Sequence, residues 1–519
     1  MDRRAFVTAA ALGAGAATLP FPAASQNAVN GAPRPSPRPL RHPRPSAADG
    51  GVSATIAAHV ATARFADLDA TTIRNAKLRL IDLIGCAIGG LRGEGSAALA
   101  AVVSGVVAGG GEREGGTASV FGTGQRAAAR DAAMANAVLA RTFDFEVMTV
   151  VVDGLQVPSH HAPTTVMTAL ALAEQHRVDG QAFLTALAIG DDLAARTLAA
   201  SGIDFNDGWD GAPLHSTMAA AAIAARVAGL DAVRTRHAIA LAADTIHGTV
   251  QSIWDGGNAW KVQQGAAARN GILAAELAAA GWSGMADPLM APCGFYGQFT
   301  PGAARPELLT GRLGRDWHGE IYFKPWPSCA ANHPTIECAL ALRDREQLAP
   351  GDIASVRLMV APHILNLFIA KPLELGPSAH SQANFNIYFA CATALLHGDL
   401  RQEHYSPAAL RQPALRSLIA RITLAPLPPG ARGVVLEVRR TNGQVVTEAL
   451  PGKPRRYPDV AGSTRAEVEA KFHQQVAFAG NIAAGKANAI IDRIDRVERE
   501  RDMADFARLL ADTIRFPRT

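Results

Sequence analysis

The chain has 519 residues, of which 48% are hydrophobic and 18% charged, with a formal net charge of +4. That length suits two domains, or one large domain with an appended lobe, and the Ala- and Leu-rich apolar share leans towards helix. So mild a positive charge, with no basic run interleaved with aromatics, excludes a nucleic-acid footprint.

The N-terminus reads as an export leader over residues 1–26. Asp2-Arg3-Arg4-Ala5-Phe6-Val7 resembles a twin-arginine pattern, an Ala/Gly/Leu stretch runs to Leu19, and small residues around Ala23 and Ala24 suit cleavage. A periplasmic protein is expected, or a cytoplasmic one if the leader does not function. The apolar run is too short and too Gly-rich to span a membrane well, so no stable membrane insertion is expected. Prolines at 33, 35, 37, 39, 43 and 45 make residues 27–50 an extended linker.

Residues 51–318 read as a helical domain. Ile73, Leu80, Ile84 and Ala87 mark one face of a helix from about 71 to 90, and helical spacing recurs over 127–140, 163–176, 181–200, 215–228, 234–247 and 264–280. Several of these are Ala-rich all round, which suits close packing inside a bundle. Gly-rich breaks at 109–116 and 205–211 separate them. The texture then changes to an α+β lid domain over 319–460. Ile353–Val360 alternates as a half-buried strand, and Arg421–Leu424 is a second strand candidate. Val434–Val438 and Val445–Thr447 flank Thr441-Asn442-Gly443, a hairpin signal, with a helix at 384–397 in between. Residues 461–519 return to helix, opened by Ser463 or Thr464 ahead of Glu467 as a capping box. The expected fold class is mostly α, a large all-helical domain plus a smaller α+β lid, with the site at their seam.

The segment Phe323-Lys324-Pro325-Trp326-Pro327-Ser328-Cys329 cannot sit inside a helix or a central strand, because its prolines stand two apart. It is a stiff loop presenting Lys324, Ser328 and Cys329. The chain holds seven lysines against forty-three arginines, so a rigid-loop lysine suggests a task for a compact charge whose pKa shifts on burial.

Thr142-Phe143-Asp144-Phe145-Glu146 precedes Ser159-His160-His161-Ala162-Pro163, two acids and then a histidine pair at a helix start. Such a helix end attracts anions, and a neutral histidine there can act as base or acid. The alternative is a capping aspartate and a plain loop histidine. Asp255-Gly-Gly-Asn-Ala-Trp260-Lys261 sets a lysine at a helix start against the dipole, which favours either a bound carboxylate or a solvent-facing lysine. His215 and His247 lie in Ala-rich helices and suit hydrogen-bonded core positions. No HExxH, His/Cys ladder or acidic loop points to a metal. Five cysteines (86, 293, 329, 338 and 391) with no CxxC read mostly as buried small hydrophobes, with a Cys329–Cys338 bridge left open.

Taken together, from about 52 to 475, the pattern resembles the MmgE/PrpD family. The resemblance rests on Asp82-Leu-Ile-Gly-Cys-Ala-Ile-Gly-Gly90, Ser119-Val-Phe-Gly-Thr-Gly124, Ala132-Ala-Met-Ala-Asn136, Asp144-Phe145 and the His160 loop. It continues through Ala228-Gly-Leu-Asp231, Trp260-Lys261 with Gly265, Lys324–Cys329, and Phe385–Ala392 with Leu395-Leu-His-Gly398. It implies a helical body with an α+β lid, a homodimer, no metal or organic cofactor, and small di- or tricarboxylate substrates. The implied catalytic residues are Asp144, His160, Lys261 and Lys324, with Cys329 where some members carry a histidine. The chain departs from the family pattern at three places. The acidic run Asp-Phe-Asp-Asp followed by Thr is here Asp144-Phe145-Glu146-Val147-Met148. Asp210 stands where a second histidine is usual, with His215 five residues on, and Asn386 replaces a serine.

The expected function is a lyase, a dehydratase or decarboxylase, that moves a proton next to a carboxylate. His160 would be the acid/base group, Lys261 and Lys324 the carboxylate and enolate binders, and Asp144 the group that orients His160 or Lys261. His215 or Asp210 would stand in for the second histidine. Glu146, His161, Trp260 and Ser328 complete the expected substrate contacts. An epimerase or isomerase using the same residues, and a non-catalytic carboxylate binder, are the alternatives.

Overall fold

The computed structural model describes residues 51–105, 116–203, 207–300, 302–451 and 463–517. The expected leader and the expected linker, nearly all of the 109–116 break and part of the 205–211 break lie outside the described residues.

Short acidic side chains start many of the helices. The body runs through α1 (Gly51–Thr62), α2 (Ala70–Gly90), α3 (Ser96–Val103), α4 (Ala129–Arg141), α5 (Ala162–His176) and α6 (Gly180–Ser201). It goes on with α7 (Gly211–Val227), α8 (Ala232–Ala243), α9 (Gln251–Trp254), α10 (Trp260–Ala279) and α11 (Phe295–Phe299). Asp69, Asp179, Asp210 and Asp231 cap α2, α6, α7 and α8 by accepting from backbone N–H groups of the first turn, each worth about 1 kcal/mol. The small side chains then allow close approach. α10 lies between α4 and α7. A Cβ on Gly265 would sit 2.6 Å from the Met134 carbonyl of α4, and one on Gly271 would sit 2.6 Å from the Thr217 carbonyl of α7. The Ala-rich periodicity of the sequence is thus the pattern of a tightly packed helical core.

Two short antiparallel ladders interrupt the helices. One pairs β1 (Ala118–Ser119) with β2 (Arg126–Ala127). The other pairs β3 (Val150–Val152) with β4 (Leu155–Val157) across Asp153-Gly154, both at positive φ (48° and 74°). That is the backbone of a type I′ turn, for which Asp-Gly is well suited. Where a plain loop was expected between the acidic run and the histidine pair, the chain forms this hairpin.

The α+β part contains α12 (His333–Glu346), β5 (Ile353–Val360), α13 (Ala379–Asn384), α14 (Ile387–His397), α15 (Pro407–Leu410), α16 (Pro413–Ile419), β6 (Ile422–Pro426), β7 (Val434–Arg440) and β8 (Val445–Leu450). Its four strands lie in the order β6-β5-β7-β8. β5 and β6 are parallel, with Val356 opposite Ile422, and the β5–β7 and β7–β8 pairs are antiparallel. Gly443, at φ +88°, closes the β7–β8 turn as the Thr441-Asn442-Gly443 signal predicts. α12 covers β7 and β8.

The chain then returns to the body through α17 (Arg465–Ala479), α18 (Ala484–Asp495) and α19 (Met503–Thr513). Thr464 and Glu467 form the expected capping box. α17 packs on α2, and α19 on α5. None of the five cysteines forms a disulfide, so Cys329 and Cys338 are not bridged. Cys86, Cys338 and Cys391 are buried as expected, Cys329 is half-buried and Cys293 is exposed. Among the described residues, no helix is long and apolar enough to cross a membrane.

Candidate active site

α4 ends at Arg141, and three residues later Asp144 takes a positive φ of 49°. Aspartate is among the few residues that tolerate this left-handed region. The turn gives Lys324 two acceptors on one residue, since its Nζ lies 2.7 Å from Asp144 Oδ1 and donates to the Asp144 carbonyl at 2.7 Å. The Arg141 Nη1 reaches both the Asp144 and the Glu146 carboxylates, at 2.6 Å for Glu146 Oε1. All four side chains are buried. Burial opposes ionisation of both acids. The Lys324 and Arg141 charges outweigh it at Asp144, and Arg141 with the His160 hydrogen bond outweighs it at Glu146, so both carboxyls titrate below their usual range.

His160 stands on the other side of Glu146. Its Nδ1 is 2.7 Å from Glu146 Oε1 and 3.8 Å from Asp144 Oδ1. Glu146, expected as a substrate contact, is therefore the direct partner of the imidazole, while Asp144 is committed to Lys324. An ionised Glu146 can only accept, so Nδ1 carries the hydrogen and Nε2 keeps a lone pair. Burial and the Arg141 and Lys324 charges pull the His160 pKa below 6.5, against the opposing pull of Glu146, so the ring is neutral at pH 7. His160 lines a cavity of about 120 Å³ together with Val157, Pro158, Leu198, Trp209 and Asp210. Asp210, at the N-cap of α7, is the cavity's other ionisable group.

A residue absent from the sequence expectations, Glu320, holds this loop. Its carboxylate accepts from Ser159 Oγ (2.6 Å), His161 N (3.0 Å) and Ala162 N (2.9 Å), which ties down the start of α5 on either side of His160. Burial, with Asp191 and Glu146 nearby, pushes its pKa up to about 8 despite those bonds. Two residues on, Tyr322 pairs with Met148 in a β-bridge, and Lys324 follows. One short segment thus supports the acidic loop and the His160 loop together. From the far end of the chain, Lys471 on α17 pairs with Asp82 at 2.6 Å and donates to the Phe145 carbonyl, while Asp82 accepts from Val147 N at 2.8 Å.

The remaining expected residues spread around this cluster. Lys261 is buried and donates to the Glu94 carbonyl at 3.2 Å; burial, partly offset by Glu94 and reinforced by Arg141, lowers its pKa to about 8. It makes no direct ion pair with Asp144. Trp260 stacks beneath the Arg141 guanidinium at 4.7 Å and donates to Ser381 Oγ at 3.2 Å. His161 is buried between Asp191 (3.6 Å) and Glu320 (3.8 Å). His215 lies one turn into α7, packed on Phe295 at 5.0 Å; burial lowers its pKa to about 3, and it does not line the His160 cavity. Ser328 is buried and donates to the Asn384 carbonyl at 3.3 Å. Cys329 follows it; burial and Asp144 raise its thiol to about 11, so it is a neutral thiol at pH 7.

Asp144, Glu146 and His160 also place ligand-type atoms within 4.8 Å of one another. The same carboxylate oxygens hold Arg141 and Lys324, so a divalent cation here would face two fixed positive charges. The donor set fits a compensated ion-pair cluster better than a metal centre.

Fold and site together define a mostly helical protein with a polarised imidazole set in a buried ion-pair cluster. Two family models match the chain, the MmgE/PrpD N-terminal domain over residues 54–307 and the MmgE/PrpD C-terminal domain over residues 326–496. The chain belongs to the MmgE/PrpD family. It is 27% identical to the cis-aconitate decarboxylase-like protein oryM of Aspergillus oryzae, over 73% of this chain and 80% of that protein. Cis-aconitate decarboxylase of Homo sapiens is 25% identical, over 56% of this chain and 60% of that protein. Cis-aconitate decarboxylase of Aspergillus terreus is 27% identical over 60% and 64%. The last two matches span less than two thirds of those proteins.

Proposed function

We propose that the protein is a lyase that removes water or carbon dioxide from a small di- or tricarboxylate, through proton transfer at the carbon next to a carboxylate. The observation that carries this reading is the neutral His160, backed through Nδ1 by Glu146, on the wall of a cavity. In a dehydration, Nε2 takes the proton from carbon. The imidazolium then returns it to the departing hydroxyl, which leaves as water. In a decarboxylation the order inverts: carbon dioxide leaves, and the carbanion takes a proton from Nε2 after that nitrogen has picked one up from solvent. In both, negative charge develops on the substrate beside buried cations, where preorganised electrostatics contributes most. Lys261, whose hydrogen bond goes to a carbonyl rather than a carboxylate, is the residue assigned to a substrate carboxylate. The named activities of the A. oryzae, human and A. terreus relatives agree with this class.

The test is a panel of citrate-, malate- and aspartate-like acids incubated with the protein in deuterated buffer and read by mass spectrometry. A product lighter by water or carbon dioxide is expected, and it is lost in His160→Ala and Lys324→Ala. Unchanged turnover in both variants would overturn the assignment. Deuterium uptake without loss of either group would make the protein an epimerase or isomerase. Ligand-induced thermal stabilisation with no product would make it a carboxylate binder.

A further inference from the structure

The cavity beside His160 carries an unusual charge pattern. Its other ionisable wall group is the carboxylate of Asp210, which is buried and uses Oδ1 to cap α7 through Ala212 N at 3.1 Å. The rest of the wall is largely apolar, with Val157, Pro158, Leu198, Ile203 and Trp209. Glu146, whose Oε1 holds His160 and Arg141, keeps its buried Oε2 without a hydrogen-bond partner. Glu146 lies behind His160 rather than on the wall, so Asp210 is the carboxylate there that can accept a further donor. Charge bookkeeping points the same way. Asp144, Glu146 and Asp210 face Arg141 and Lys324, since Arg141 also feels Asp210. A tricarboxylate would bring three more negative charges to a set already in excess of negative charge, and one of them would have to lie near a buried carboxylate at a cost in affinity.

We propose that the His160 cavity binds a protonated amine, so that the substrate is an amino acid with further carboxylates rather than a tricarboxylic acid. An ammonium offers three donors and one positive charge, which the Asp210 carboxylate on the wall can accept. The carboxylate end then falls to Lys261. This narrows the lyase reading and rests on His160 marking the reacting end of the site.

The experiment measures binding, so it is independent of turnover. L-aspartate, succinate, malate and citrate are titrated against the full-length protein and its Asp210→Asn variant by calorimetry. Asparagine keeps the α7 cap, so the variant retains the helix start. The wild type is expected to bind aspartate about tenfold or more tighter than succinate and malate, as loss of a hydrogen bond to a charged group implies. Asp210→Asn is expected to lose that preference while still binding succinate. Citrate or succinate binding the wild type as tightly as aspartate, no binding of aspartate, or an amine preference that survives Asp210→Asn would each overturn the proposal. Turnover of a tricarboxylate with no amine selectivity would leave the lyase reading standing and remove this one. Asp210-dependent amine selectivity without turnover of any acid would do the reverse.

Discussion

Asp144 and Glu146 are two positions apart, yet their side chains serve different partners. Asp144 is bound up with Lys324, and Glu146 polarises His160. Replacing His160 with alanine is expected to lower kcat by about 10²–10⁴-fold, the range for a lost acid–base group. The pH profile separates the Glu146 role from simple packing. His160 must be deprotonated to act as a base, and its pKa lies below 6.5, so the acid limb of kcat/KM falls below that pH in the wild type. Glu146 raises that pKa. In Glu146→Gln it drops further, and the acid limb moves to still lower pH. An unmoved limb, with kcat reduced, would mean that Glu146 serves only to hold the loop. The scarcity of lysine made Lys261 and Lys324 stand out in the sequence, but it applied equally to Lys471, which also is buried beneath the acidic loop. Arg141 was not legible, being one arginine among many, although it touches both acids.

At the scale of elements, helices were legible wherever alanine and leucine recurred at helical spacing, because packing in this body depends on that spacing. The β3–β4 hairpin was missed, although Val150–Val152, Asp153-Gly154 and Leu155–Val157 carry its signal in full. The lid strands and their Asn-Gly turn were read correctly because alternation and turn chemistry agreed. Glu320 had no local signal: its partners lie about 160 positions away, at the start of α5. Its shift has a thermodynamic sign. The folded pKa, about 8, is above the ordinary 4.5, so the native state binds the extra proton between those values. Stability from this group is present below about pH 4.5 and is lost as pH rises towards about 8. Glu320→Gln, permanently neutral, is expected to flatten that part of the decline, so its melting temperature gains on the wild type as pH rises from about 5 to about 8. A difference between the two that is constant across this range would refute the assignment.

For the whole molecule, the feature that matters most is the return of the C-terminal helices to the body. Lys471 from α17 meets Asp82 from α2 in a buried pair under the acidic loop. Lys471→Met would leave Asp82 buried without its partner and is expected to cost about 3 kcal/mol in urea unfolding. Adding Asp82→Asn should recover most of that loss, because the uncompensated charge is then gone. If the double variant is as unstable as the single one, the pair contributes through packing rather than charge.

Lys471 donates to the Phe145 carbonyl across 326 positions of sequence. On a ribosome the acidic loop, the His160 loop, Lys261 and Lys324 emerge long before their support does. A nascent chain can fold its Ala-rich helices early, since their contacts are local, but the charge cluster must wait for roughly the last sixty residues to be made. Catalytic competence should therefore appear late and abruptly during synthesis, and a chain released before α17 should carry every candidate catalytic residue and still be inert.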